Sequence, residues 1–478
     1  MKGLLEKAFD PNSFRTTGHQ LIETLAGHLA ASHGADFHTI NWKLPEEQLA
    51  YWNKDFSRPL THSPNELFDN VIANSINLHS PGYLGHQVPP SLPLTALTSA
   101  LMSFLNNGMA VYEMGMTGNA MEKVIISYLA SKFGLGDKAS GVVTSGGTLG
   151  NLTALLAARS SATDIWENGS AGNQPLAVLV SEEAHYSIDR AARIMGIGKN
   201  GVIKIPVNEK FQMRTELLET YYRQATEEGK KVICVVGCSC STSTGAFDNL
   251  QAIGDFALSH KLWFHIDGAH GAPVIFSNKY RYLLKGISKA NSIVIDFHKM
   301  MMAPSLSTAV VFKDGNQAAH TFSQDAAYIY QNESDHEWFN SGKYTFECTK
   351  PATVLHTYAI IRQYGDKLYQ ENVDILFGLA TDFATLVKDQ DDFELACEPQ
   401  SNIVCFRYRT LGQATSLNQA ILKSLLMNGK FYIVSTMINR EFFLRISIMN
   451  PFTRIDDLKL LLTDIRAFAV DLQCPITL

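Results

Sequence analysis

NSIVIDFHKMMMAPSLSTAVVF, residues Asn291 to Phe312, holds one lysine between two stretches that are apolar along their whole length. Ile293, Val294 and Ile295 lead into Asp296-Phe297-His298-Lys299, and Ala309 to Phe312 close the segment. Short continuous apolar runs bounded by polar or small turn residues read as strands buried on both faces. An ammonium group in such company is costly to strip of water unless something compensates. What Lys299 does there is the question around which the rest of the chain can be read.

Working outward, the same texture recurs upstream. GVVTSGG (141–147), LAVLVSEEAH (176–185), VICVVGCS (232–239) and LWFHIDGAH (262–270) are each an apolar run followed by a small or polar turn. Helix-length segments such as GNLTALLAARSSATDIW and DNLQAIGDFALSH lie between them. Strands alternating with helices predict an α/β domain with a largely parallel sheet covered on both faces. Residues 1–95 read as an N-terminal helical segment and 96–350 as the large α/β domain. Residues 351–478 read as a small α+β domain, with strands in NIVCFRYR and FFLRISIM around the helix LNQAILKSLLM.

At 478 residues, 46% apolar and 18% charged, the chain has the composition of a soluble globular protein. A net charge of −6 without a basic run argues against nucleic acid or an anionic membrane as partner. No run is long enough to span a bilayer, and MKGLLEKAFDPNSF reads as a helix start rather than a secretion signal. Seven irregularly spaced cysteines predict a reducing, cytoplasmic setting. Cys238 and Cys240 form a C-x-C without a second pair at ligand spacing, so no metal is expected.

In an open parallel sheet, ligands bind beyond the carboxyl ends of the strands. The first run ends in Ser145-Gly146-Gly147-Thr148 just before a helix, where glycines admit close approach and free amides bind phosphate or carboxylate. The spacing is neither that of a P-loop nor G-x-G-x-x-G. Taken alone, such a turn can be no more than a tight connection. His185 can be an ordinary loop histidine, and Asp267 can simply cap the next turn. Together with Lys299 they match the demands of pyridoxal phosphate: an anion site, an aromatic partner, a carboxylate for the pyridine nitrogen and an amine for a Schiff base.

The run of HSPGYLGHQ, NNGMAVYE, SGGTLGNL, AHYSIDRAA, STSTGAFDNL, HIDGAHG, DFHKMM and LRISIMNP resembles the group II pyridoxal-phosphate-dependent amino-acid decarboxylases, which include the aromatic-amino-acid, glutamate and diaminobutyrate enzymes. The resemblance implies the fold type I architecture of pyridoxal-phosphate-dependent transferases, with a large, mainly parallel seven-stranded sheet. It implies that Lys299 carries the cofactor, that His298 lies near its phosphate and that Ser145, Gly146, Gly147 and Thr148 form the phosphate turn. Asp267 would pair with the pyridinium nitrogen, His185 and Ala269 would flank the ring, and Thr242 would stand near cofactor and substrate. His86, Gln87 and Tyr112 fall at substrate-side positions. A homodimer with the active site at the subunit boundary is implied as well.

This chain departs from the family in two places. Cys240-Ser241-Thr242 stands where Gly-Thr-Thr is common, with the threonine kept. In the long loop, Phe339 or Ser341 falls where many members carry the tyrosine that protonates Cα. Tyr344, Tyr328, Tyr330 or His185 is left as the donor. Decarboxylation of an L-amino acid to the amine is the expected reaction. Decarboxylation-dependent oxidative deamination to an aldehyde is the alternative, followed by another fold type I enzyme such as an aminotransferase, or a non-catalytic relative. Arg445 either meets a carboxylate or ties down the small domain, and acidic, basic and aromatic substrates stay open.

Overall fold

The computed structural model describes residues 3–34, 38–58, 64–316, 321–322, 338–410, 412 and 414–473. Seven strands form one sheet: β1 (Ser140–Thr144), β2 (Leu176–Ser181), β3 (Val202–Ile205), β4 (Lys231–Cys238), β5 (Trp263–Asp267), β6 (Ser292–Asp296) and β7 (Thr308–Phe312). Their order is β1-β7-β6-β5-β4-β2-β3. The pairs among β2 to β6 are parallel, whereas β7 runs against both β1 and β6. The mainly parallel seven-stranded α/β sheet expected above is therefore present. Every residue of β2, β5, β6 and β7 is buried, the reason these strands read as unbroken apolar runs. β3 is the strand that no apolar run announced, because VIKI at the sheet edge is only partly buried and carries a lysine.

The helix Gly147–Ala162 packs closely on this sheet. Gly150 allows the approach, since a Cβ there would stand 3.2 Å from both Thr308 Cγ2 and Val294 Cγ2. The turn Asp296–Ser307 that joins β6 to β7 buries Met300, Met301 and Met302, so the three methionines are packing rather than chemistry.

A second sheet has the order β10-β11-β9-β8, with β8 (Phe393–Leu395), β9 (Ile403–Tyr408), β10 (Val434–Ile438) and β11 (Glu441–Ser447). β9 and β11 are the two strands legible in the sequence. β8 is only three residues long and β10 is largely half-buried, so neither shows an apolar run.

By packing, the chain forms two compact units. The larger comprises Gln87–Ala384 and Cys397–Val404 and holds the seven-stranded sheet. The smaller comprises Met1–His86, Thr385–Ala396 and Cys405–Leu478. These units cut the chain at points other than the ends of segments 1–95, 96–350 and 351–478. Within the smaller unit, the helices Leu4–Ala8, Pro11–Ala31, Pro45–Phe56 and Pro64–Ala73 bury none of their residues. Among the described residues, no helix is long and apolar enough to cross a membrane.

Candidate active site

The turns that follow β1, β2, β4, β5 and β6 line one cavity of about 290 Å³. Ser145, Gly146, Gly147, Thr148, His185, Thr242, Asp267, Ala269, His298 and Lys299 all border it, although the first and last stand 154 positions apart in the chain. The sheet brings them together because parallel strands place all their carboxyl ends on one edge.

The turn after β1 is built for close approach. Gly146 has φ of +114°, a conformation that side-chain-bearing residues rarely adopt. It is the cap of the helix Gly147–Ala162 and provides no side-chain cap, so the first-turn amides remain available to an anion. A Cβ on Gly147 would stand 3.1 Å from Asp296 Oδ1 and 3.5 Å from the Ala269 Cβ, which would fill the cradle.

Lys299 Nζ lies 3.0 Å from Asp296 Oδ2, with the lysine side chain 20% exposed and the aspartate 2%. Burial pulls the lysine's pKa down, but the negative charges of Asp296 and Asp267 outweigh it and the net direction is upward. The second oxygen of Asp296 accepts a 2.6 Å hydrogen bond from Thr308 Oγ1. His298 Nε2 lies 3.6 Å from Asp296 Oδ2, and its Nδ1 lies 2.9 Å from the Ser307 carbonyl oxygen.

Asp267, at the end of β5, is held from two sides. Its Oδ1 accepts the Ala269 amide at 3.3 Å and its Oδ2 accepts Asn151 Nδ2 at 3.0 Å. Asn151 Oδ1 is in turn 3.0 Å from His265 Nε2, and His265 Nδ1 is 2.9 Å from Ser292 Oγ. For Asn151 to offer its amide protons to Asp267, its oxygen must accept from His265. The imidazole then carries a proton on Nε2. Burial keeps it neutral, holding His265 down to about 4. Asn151 Nδ2 also donates to Ser187 Oγ at 2.8 Å, and Ser187 Oγ lies 2.8 Å from His185 Nδ1. The Ser187 amide points at the same nitrogen, 3.3 Å away. His185 therefore carries its proton on Nε2 when neutral, and burial keeps its pKa below the ordinary value against the opposing pull of Asp267.

The other expected residues lie elsewhere. Tyr344 lines a separate cavity with Asn119, Glu122 and Ser341, and it packs against the core on that side. Tyr112 is not among the residues bordering the Lys299 cavity; its ring meets Phe339 edge-on at 5.6 Å and is about half exposed. Gln87 is buried, and its Nε2 has no hydrogen-bond partner among the described residues. His86 belongs to the smaller unit, 5.9 Å from the Tyr432 ring, where burial and the Arg445 charge lower its pKa. Tyr328 and Tyr330 lie outside the described residues. Conversely, Asn151, His265 and Asp296 belong to the network around the cavity and no sequence argument singled them out. Asp296 had a signal, three residues before Lys299 in the opening segment. Asn151 stands one helical turn after Gly147.

An aldehyde-bearing aromatic phosphate fits these residues: amides at a helix start for the phosphate, a carboxylate held rigidly for a ring nitrogen, and one amine inside the cavity. A sequence model of the pyridoxal-dependent decarboxylase conserved domain matches residues 78–409. An L-2,4-diaminobutyrate decarboxylase of Acinetobacter baumannii is 31% identical over 424 residues, covering 84% of this chain and 82% of that one. An aromatic-L-amino-acid decarboxylase of Bacillus atrophaeus is 25% identical, covering 96% of each chain. The crystal structure of mouse CSAD superposes with a TM-score of 0.90 at 24% identity, covering 96% of this chain and 99% of that one, a likeness of fold.

Proposed function

This chain belongs to the pyridoxal-dependent decarboxylase family and is a pyridoxal-phosphate-dependent amino-acid decarboxylase, and from that premise we propose which of its residues do the work. Lys299 is the attachment point of the cofactor. The observation that carries this reading is the convergence of one buried amine, the Gly146-Gly147 helix start and the braced carboxylate of Asp267 on a single cavity. Bound pyridoxal phosphate supplies the electron sink for the pair left behind when carbon dioxide departs. The chain's own part is placement and proton control.

The first-turn amides after Gly146 hold the phosphate, with Thr148, Ser145 and His298 around them. Asp267 is aimed by the Ala269 amide and Asn151, so it can hold a proton on the ring nitrogen. His185 and Ala269 flank the ring, and Thr242 stands on the substrate side. The Nε2 proton of His185 is a source for Cα after carbon dioxide leaves. Tyr344 lines a different cavity of its own chain, so its role as donor depends on a two-chain arrangement.

We propose such a homodimer, with the site at the subunit boundary. Phe9 and Phe56 on the N-terminal helices are 84% and 94% exposed, apolar surface that a second copy would cover. His86, Gln87 and Tyr112 are proposed substrate contacts, and a cytoplasmic location is proposed because the described cysteines form no disulfide with one another. The deciding experiment is a screen of L-amino acids for carbon dioxide release, with amine and peroxide measured together. Amine equimolar with carbon dioxide is expected; equimolar peroxide would turn the reading to aldehyde formation, and no carbon dioxide from any substrate would overturn it.

A further inference from the structure

Asp296 is a second carboxylate in the cavity, distinct from the one assigned to the ring nitrogen. It is 2% exposed, touches Lys299 Nζ at 3.0 Å and is fixed from behind by the Thr308 hydroxyl at 2.6 Å. We propose that Asp296 is the counter-ion that holds Lys299 as an ammonium in the cofactor-free chain, and that it thereby sets the rate at which the chain loads pyridoxal phosphate. The inference rests on Lys299 being the attachment point.

The chemistry requires this coupling. Only the free amine attacks the aldehyde, so Nζ must lose a proton before its bond to the aldehyde carbon forms. Overall, two ammonium hydrogens leave with the aldehyde oxygen as water and one stays on the nitrogen, so charge is conserved. A carboxylate 3.0 Å away in a site shielded from water favours the ammonium and lowers the fraction of attacking amine. The same carboxylate borders Gly147, so an incoming phosphate meets negative charge as well. The other titratable groups bordering the cavity are His298 on the same turn, Asp267 from β5, His270 from the turn after it, His185 from the turn after β2, and Cys238 and Cys240 at the end of β4 and in the turn after it. Of these, Asp267 also favours the ammonium, and Cys240, whose buried thiol is held up to about 12, acts in the same direction behind Asp296 and Asp267. Asp296 is the group in direct contact. It is a positioning residue, acting through Lys299.

The test uses the full-length chain stripped of cofactor, mixed with pyridoxal phosphate from about pH 6.5 to 10.5. Attachment is followed by absorbance and by borohydride trapping at Lys299. Asp296→Asn should load tenfold or more faster than the natural chain near neutral pH. That ratio should be largest near neutral pH and shrink as the pH rises toward the natural chain's raised lysine value. A ratio of one at every pH, or one that does not vary with pH, overturns the proposal, because a merely structural effect has no reason to follow lysine titration. Should Asp296→Asn not fold, Asp296→Ser, which also removes the charge, is measured in its place, and the same two outcomes decide. If no trapped linkage forms at Lys299 in the natural chain, the attachment reading itself fails.

Discussion

Two lysines of the larger unit meet buried carboxylates, and they are held in different ways. Lys350 Nζ donates to Glu122 Oε1 at 2.7 Å and to the Val143 carbonyl at 2.6 Å, with both side chains 7% exposed. Glu122 Oε1 also accepts the Val143 amide at 3.1 Å, so the pair is stitched to β1. Lys299 touches a carboxylate too, but it faces a cavity and keeps part of its surface open. Lys350 is surrounded by acceptors, whereas Lys299, the proposed attachment point, is left room for another atom. Buried charge alone therefore does not mark a reactive lysine; the open side of the ammonium does.

Substitutions can break this comparison. Lys299→Ala should abolish carbon dioxide release and the borohydride-reducible linkage; retained turnover would remove Lys299 from its role. Lys350→Met should do the reverse. It strands the buried Glu122 carboxylate and is expected to cost about 3–5 kcal/mol in urea unfolding, while the linkage at Lys299 still forms. Replacing Glu122 by Gln in the same chain should recover part of that loss, and no recovery would show that the pair is not the source.

Asp267→Asn sharpens the comparison at the reactive lysine. The cofactor should remain bound by its absorbance, while turnover falls by about a hundredfold or more through loss of a charge placed where electrons accumulate. Near-normal turnover would contradict the assignment of Asp267.

The smallest net effect concerns pH. His265 is held down to about 4 by burial, below its free value, so the unfolded chain takes up a proton that the folded chain refuses. Stability from this group is therefore lost as pH falls from about 6.5 toward 4. Burial pushes Asp248 up to about 6, although it accepts the Met213 and Cys238 amides. Its contribution runs the other way, fully present below about 3.8 and lost as pH rises through 6. Each is on the order of 3 kcal/mol alone, and they offset each other between about pH 4 and 6. Unfolding free energies of Asp248→Asn should fall more steeply on acidification than those of the natural chain, and those of His265→Asn less steeply. Parallel profiles would show that neither burial matters.

Much of the sheet was readable because its strands are buried on both faces and so carry unbroken apolar runs. β3 and β10 escaped because partial burial permits polar residues, and such strands resemble loops. Among the candidate site residues, Lys299 was legible because an ammonium is out of place between apolar runs, and Asp267, His185 and the Gly146-Gly147 turn only in combination with it. Asn151 was not, since an asparagine on a helix has no oddity until the fold shows it bridging His265 and Asp267.

Local sequence by itself determined which segments are strands, which turns carry polar chemistry and which cofactor those turns suit, because burial and desolvation act on each segment separately. Which carboxylate touches Lys299, which histidine orients Asp267 and which cavity Tyr344 faces were decided only by the tertiary structure. Those are distances between side chains on different strands and helices, set by the register of the sheet and the packing of one helix against it.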